Sequence, residues 1–394
     1  MFYRDAPAAS AVLDALRAAG IQALYTRFSA LDRFFRVSAS PVLSLRVSCG
    51  LIDLAKLFPA LRYPGIEGAD AALLCEDHSP PEPRRVEIYF TCIDGEGSAA
   101  DLRENPCFDV LRLLYNPFTG AFCDPRGIYP LLRAAAVRPR GGRWSAAALM
   151  EAAVLISRYA YSLENLAAGG PSGEGFPPET TRAFPPEVQR GLLACILSGQ
   201  NAFAGLRLLG DSGFLDALWP ELACMREVSH SKEYHPEGDV WDHTLETFRY
   251  RKNTGLTIAL ALLLHDAGKP RAEAAGGRRF DKHAEIGALI AEKFLNRLGF
   301  PPALTGDVVF LVRNHMLPGV IKTLPACRTQ GIMESPLFPM LLEVYRCDLS
   351  STFRGPDGYY EACKVYRAFL KHRKNPYRGS DGKKIRKMGD YVAI

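Results

Sequence analysis

The ten cysteines include no Cys-x-x-Cys pair, so no paired-cysteine metal or redox motif is encoded, and their scatter fits free thiols in a reducing compartment. No uncharged apolar run is long enough to span a membrane; the richest, Leu256 to Leu264, is far too short. The opening MFYRDAPAASAVLDALRAAG carries an early Arg-Asp pair and no apolar leader, so no signal peptide is expected and the cytoplasm is the expected location. No internal repeat occurs, which excludes a solenoid. Between Asp32 and Asp53 there is neither Asp nor Glu.

What is present describes a multidomain globular chain. Its 394 residues are 48% hydrophobic and 23% charged, enough for two or three domains. A net charge of +5 permits an anionic partner without requiring one. Residues 1–140 read as mixed α/β, with a helix over Ala8 to Ala19 and strands over Ile21 to Tyr25, Val42 to Val47 and Val86 to Thr91. Turn clusters at Asp94-Gly95-Glu96-Gly97 and Asp124-Pro125-Arg126-Gly127 punctuate them. From Trp144 the periodicity turns helical: Ser145 to Leu166, Pro186 to Leu197 and Leu206 to Trp219, with a Gly/Pro-rich loop over Gly169 to Pro178. Five further helices follow, over Val240 to Tyr250, Leu256 to Leu264, His283 to Leu298, Asp307 to His315 and Leu337 to Leu349. The tail holds Lys383-Lys384-Ile385-Arg386-Lys387, which reads as a solvated basic run or a polyanion contact.

Of eight histidines, five fall between Tyr234 and Met316: His235, His243, His265, His283 and His315. An isolated histidine on an apolar face is ordinarily a satisfied core residue. Here, however, the histidines sit at or near the ends of separate expected helices, and His265 adjoins Asp266. Successive residues on a helix point about 100° apart, so both side chains can reach one ion near the helix end. Imidazole and carboxylate donors together suit Mn, Fe, Co, Ni or Zn. A bound ion also lowers the pKa of coordinated water. Without an ion or a partner, Asp266 is a carboxylate desolvated at the end of the oily run LALLL. Lys269, just past the turn, is placed to hold a phosphate oxygen.

The order His243, His265-Asp266, Asp348 resembles the H…HD…D signature of the HD superfamily of metal-dependent phosphohydrolases. "HDAGKP" resembles its HD-x-G-K box, "KHAEIGA" (Lys282 to Ala288) its next segment, and "RNHM" (Arg313 to Met316) the following histidine helix. The resemblance implies His243, His265, Asp266 and Asp348 as core metal ligands. It implies His283, His315 and Lys269 as accessory ligands or phosphate contacts. The implied cofactor is a divalent transition metal (Mn, Ni, Co, Fe or Zn), with Mg possible.

Longer stretches narrow this. "EYHPEGDVWDHTL" (Glu233 to Leu245), "PEVQRGLLACILSGQNAFAGLRLLGDSGFLDALWPEL" (Pro186 to Leu222), "LLYNPFTGAFCDPRG" (Leu113 to Gly127) and the tail "GSDGKKIRKMG" resemble bacterial tRNA nucleotidyltransferases and poly(A) polymerases. That family needs a Gly-Gly turn and an Asp-x-Asp pair in its head. Arg27-Phe28 stand where the glycines belong, and Val42-Leu43-Ser44 lie near the expected carboxylates. Asn105-Pro106-Cys107 replace an Arg-Arg-Asp. Ala146-Ala147 and Met150 replace a Glu-Asp-x-x-Arg. No nucleotidyltransferase site residue is therefore assigned, although Asp32 and Glu87 remain as a noncanonical carboxylate pair.

The expected architecture is α+β: a degenerate nucleotidyltransferase-like α/β head (1–140), a helical, RNA-binding-like body (141–225), an all-α HD domain (226–370) and a basic tail (371–394). The leading functional expectation is a metal-dependent phosphohydrolase, acting as a phosphomonoesterase or 2′,3′-cyclic phosphodiesterase on RNA 3′ ends or nucleotides. Two alternatives stand beside it: a template-independent tRNA nucleotidyltransferase adding CCA or A, and a noncatalytic RNA-binding protein. The expected partners are a tRNA-like RNA or a nucleotide, and no membrane.

Overall fold

The computed structural model describes residues 7–66, 68–77, 84–93, 106–134, 144–161, 184–228, 238–275, 280–352 and 355–372. Asp94 to Gly97, Asn105, the Gly169 to Pro178 loop, His235 and the basic run at Lys383 to Lys387 lie outside these residues. The chain is α+β and divides into two compact units, Met1–Leu218 and Trp219–Ile394.

The N-terminal unit is built on α1 (Pro7–Ala18), β1 (Ala23–Tyr25), α2 (Arg27–Phe35), β2 (Val42–Val47), α3 (Leu51–Leu57), β3 (Ala71–Asp77), β4 (Arg84–Cys92), β5 (Leu114–Tyr115), β6 (Phe122–Cys123) and α4 (Tyr129–Ala134). Its helical part is α5 (Ala146–Tyr159), α6 (Pro186–Ser198), α7 (Ala202–Asp211) and α8 (Phe214–Leu218). The six strands run in the order β3-β4-β2-β1-β5-β6. β2 and β4 are parallel, and the other pairs are antiparallel.

Period-two alternation decides what each face carries. Leu43 and Leu45 stand beside Ile88 and Phe90 on one buried face. Ser44 and Arg46 stand beside Tyr89 and Thr91 on the other, where Glu87 also lies. Helix α6 covers this polar face, with Gly191 against Val42 and Arg190 reaching Glu87.

β3 has no strand signature in its sequence, AALLCED. Ala, Leu and Glu favour helix, and only pairing with β4 along its length makes it a strand. The helix read over Leu206 to Trp219 is two helices. Gly213, at φ +76°, turns the chain between α7 and α8 in a conformation open to glycine. Likewise α5 stops at Tyr159, where Ala160 adopts φ +57°.

The second unit is all helical over its described residues: α9 (Pro220–Ala223), α10 (Val240–Tyr250), α11 (Leu256–Leu264), α12 (Lys269–Ala274), α13 (His283–Arg297), α14 (Pro302–Asn314), α15 (Leu317–Val320), α16 (Ala326–Met333), α17 (Phe338–Ser350) and α18 (Asp357–His372). Helix α11 is apolar all round, and Ile258 to Leu264 are all buried, as such a helix must be. Each of its leucines from Leu260 onward contributes about 1.5–3 kcal/mol by leaving water. Helices α10, α13, α14 and α17 surround it. The C-terminal end of α11 is therefore where side chains from four neighbours can meet. Among the described residues, no helix is long and apolar enough to cross a membrane. The nine described cysteines are free thiols.

Candidate metal centre

His265 and Asp266 leave the last turn of α11 and are fully buried. His243 comes from the first turn of α10, His283 opens α13, His315 closes α14, and Asp348 stands in the last turn of α17. The tertiary fold brings all six together and divides them into two ligand groups. His243, His265 and Asp348 form one; Asp266, His283 and His315 form the other. In each group the donor atoms lie within 4.8 Å of one another. Asp266 links the groups: Oδ2 is 3.2 Å from His265 Nε2 and 3.7 Å from His243 Nε2, while Oδ1 is 3.6 Å from His283 Nε2 and 3.8 Å from His315 Nε2.

The ring tautomers show what these nitrogens can do. His265, His283 and His315 each donate Nδ1–H to a backbone carbonyl, of Leu262, Phe280 and Val312 respectively, at 2.8 Å. That fixes a proton on Nδ1 and aims Nε2 inward, the nitrogen that a metal-binding imidazole presents. His283 Nε2 and His315 Nε2 face each other at 3.2 Å, a separation at which two lone pairs need a shared proton or a cation. His265 Nε2 is buried and makes no hydrogen bond. A buried acceptor left without a partner is costly, and a metal ion satisfies it. The residues present thus fit a divalent transition metal, though they do not name which one.

Burial pushes the Asp266 carboxyl up, but the neighbouring His265 and Lys269 charges outweigh this and hold it well below the usual carboxylate range. Asp348 is likewise pushed up by burial and more strongly down by the hydrogen bond from His243 and the charge of His265. Lys269, expected on a phosphate oxygen, places its ammonium 2.5 Å from Asp266 Oδ2 and above the Phe280 ring. Ser351, the residue that caps the C-terminal end of α17, is the one that sequence reasoning passed over. Its signal was available as a hydroxyl three places after Asp348.

The His315 imidazole is driven down to about 4, by burial first and then by the charge of His265. Its folded-state value lies below the ordinary 6.5, so the unfolded chain takes up the proton first as pH falls. Stability from this group is intact above about pH 6.5, is lost between 6.5 and about 4, and changes no further below that. Between pH 7 and 4, the metal-free chain should lose roughly 3 kcal/mol more unfolding free energy than its His315→Gln variant. Urea unfolding in chelator at both pH values checks this. Equal pH dependence in the two proteins would remove His315 as the cause.

A close backbone approach sets the spacing of the two groups. A Cβ on Gly268 would lie 2.0 Å from the His283 carbonyl oxygen and 2.5 Å from the Gly287 nitrogen. Gly268→Ala must therefore push α12 from α13. It should destabilise the chain by about 1–3 kcal/mol, in the range of overpacked sites, and weaken metal binding at the group containing His283. Thermal unfolding together with metal titration measures both effects.

The N-terminal unit holds its carboxylates differently. Asp32 accepts from Arg158 and Tyr159, and Glu87 from Arg62 and Arg190. Glu151 accepts from Arg27, which stands at φ +52° in the turn where the family resemblance placed glycine. Asp32 is wholly buried in its ion pair, and Asp32 and Glu87 do not share a ligand group. Among the described residues, both groups of converging ligand atoms lie in the second unit. The described head carboxylates Asp32, Glu87 and Glu151 are taken up by arginines and do not converge on an ion.

The HD-domain family model matches residues 240–350, the segment from α10 to α17 that supplies the six ligands. Over 175 residues the chain is 36% identical to the CC-adding tRNA nucleotidyltransferase of Thermus thermophilus, covering 42% of this chain and 39% of that protein. Over 182 residues it is 31% identical to the A-adding tRNA nucleotidyltransferase of Deinococcus radiodurans, covering 43% of this chain and 40% of that protein. The chain thus matches the HD domain over residues 240–350 and is similar to tRNA nucleotidyltransferases over part of its length. It spans about two fifths of the length of these relatives. A solved CCA-adding enzyme of Thermotoga maritima complexed with tRNA overlays on 91% of the chain and 80% of its own length, at 11% identity and a TM-score of 0.41, too low to carry an argument.

These relatives overturn the leading expectation. The HD signature points to a phosphohydrolase acting on phosphomonoesters or cyclic phosphodiesters, but the relatives are named for nucleotide addition to tRNA. The physical reason is that a His/Asp set specifies metal coordination and not which bond is made or broken.

Proposed function

We propose that this nucleotidyltransferase relative acts at the 3′ end of tRNA as a template-independent tRNA nucleotidyltransferase, with tRNA and CTP or ATP as its substrates. The observation that carries the reading is the 36% and 31% identity to CC-adding and A-adding enzymes. The net charge of +5 suits a polyanionic partner, and the free thiols suit the cytoplasm. In this reading His243, His265, Asp266 and Asp348, with His283 and His315, hold one or two transition-metal ions. An ion in either group would clamp the ends of three helices, and ions in both would clamp five, stabilising the second unit.

The test is incorporation of labelled CTP or ATP into tRNA stripped of its 3′ terminus. Label in the tRNA supports the reading. A second reading, tRNA binding without nucleotide addition, is favoured by the arginines that occupy Asp32, Glu87 and Glu151. It predicts no incorporation but a salt-dependent shift of tRNA on a gel.

A further inference from the structure

His243 is held differently from the other three histidines. His265 and His315 follow the ends of their helices, and His283 begins one. The carbonyl three residues back is therefore free of the helix ladder or has spare capacity in each case. His243 is the fourth residue of α10, and the carbonyl three residues back belongs to Val240 inside that helix. The acceptor for its Nδ1–H comes from another helix. Ser351 Oγ lies 3.3 Å from His243 Nδ1. The Ser351 hydroxyl gives its own proton to the Asp348 carbonyl at 2.6 Å. With that proton committed, only an oxygen lone pair faces the ring, so Nδ1 carries a proton. His243 Nε2 points the other way and donates to Asp348 Oδ1, 3.0 Å away, a proton that a bound cation would displace. Ser351 is buried, and water cannot readily replace it.

We propose that Ser351 is a positioning residue of the metal centre. Its hydroxyl fixes the His243 tautomer that presents Nε2 as a ligand. Because it is anchored on the Asp348 backbone, it also ties the orientation of a ligand on α10 to one on α17. This rests on the reading that His243 and Asp348 hold a metal. A helix-capping role alone would make Ser351 matter for stability but not for metal affinity.

The experiment is Co²⁺ titration of the metal-stripped full chain, followed by visible absorption, on wild type, Ser351→Ala and Ser351→Thr. It is paired with ¹⁵N NMR of the imidazoles in the wild type. Alanine should weaken Co²⁺ binding about 10–100-fold, the usual cost of losing a hydrogen-bond partner behind a ligand. Threonine, which keeps the hydroxyl, should recover most of it. The wild-type spectrum should show His243 protonated on Nδ1. Wild-type chain that takes up no Co²⁺ overturns the metal reading and the inference with it. Wild type that binds while Ser351→Ala binds equally well overturns the inference alone. If alanine prevents folding, the wild-type NMR decides, and a His243 without a proton on Nδ1 overturns the proposal.

Discussion

An Asp266→Ala chain should emerge from purification with less than about a tenth of the wild-type transition-metal content, and with its second unit less stable by about 3–5 kcal/mol. Both effects follow from its position. The two Asp266 oxygens face the two ligand groups separately, so one substitution removes a donor from one group and the neighbouring charge from the other. It also strands the Lys269 ammonium, which is buried and lies 2.5 Å from the lost oxygen. An unpaired buried charge, rather than a lost attraction, is the larger cost. Asp266→Asn should keep the packing but still shed the metal. Elemental analysis and thermal unfolding measure the two effects. Wild-type metal content in the alanine variant would show that Asp266 is not a ligand.

The second large effect belongs to the N-terminal unit. Arg158→Ala should destabilise it by about 3–5 kcal/mol, because it leaves the Asp32 carboxylate buried without its cation. Asp32 Oδ1 accepts from Arg158 Nε at 3.2 Å and Nη2 at 2.8 Å and from the Tyr159 hydroxyl at 2.8 Å; Oδ2 accepts from Ser40 N–H at 2.8 Å. Burial works to push the Arg158 guanidinium down, but Asp32 beside it raises it overall. Replacing both partners at once, Asp32→Leu with Arg158→Met, should cost much less than Arg158→Ala, since it leaves no buried charge. Urea unfolding of the single and double variants measures this. A double variant as unstable as the single would mean that the pair's shape, not its charge, is what matters. The result bears on function as well. Loss of nucleotide addition in Asp32→Ala would report misfolding unless the folded fraction is measured alongside.

Several features were readable from residue order alone because they depend on local chemistry. The oily run ending in His265-Asp266, the histidines spaced one to a helix, and the change from strand to helix periodicity near Trp144 all depend on neighbours within a few positions. So does the absence of acidic residues between Asp32 and Asp53. The reaction was not readable. The HD model matches the segment that carries the six candidate ligands, the relatives are named for nucleotide addition, and coordination chemistry does not distinguish hydrolysis from nucleotide addition.

Long-range packing decided the rest. His243 meets Asp348 across 105 positions, and Asp32 meets Arg158 across 126. Nothing in local periodicity encodes such pairings. Only the fold could show that Asp266 stands between two ligand groups, that Lys269 is held by Asp266, and that Ser351 orients His243. The strand at β3 is the same case within the sheet, with weak local preference overruled by pairing to β4. The sequence by itself determined which residues carry imidazole and carboxylate donors and which stretch of the head has no acidic residue. The tertiary structure decided which of those residues meet, because burial around α11 and the sheet brings distant side chains to hydrogen-bonding distance.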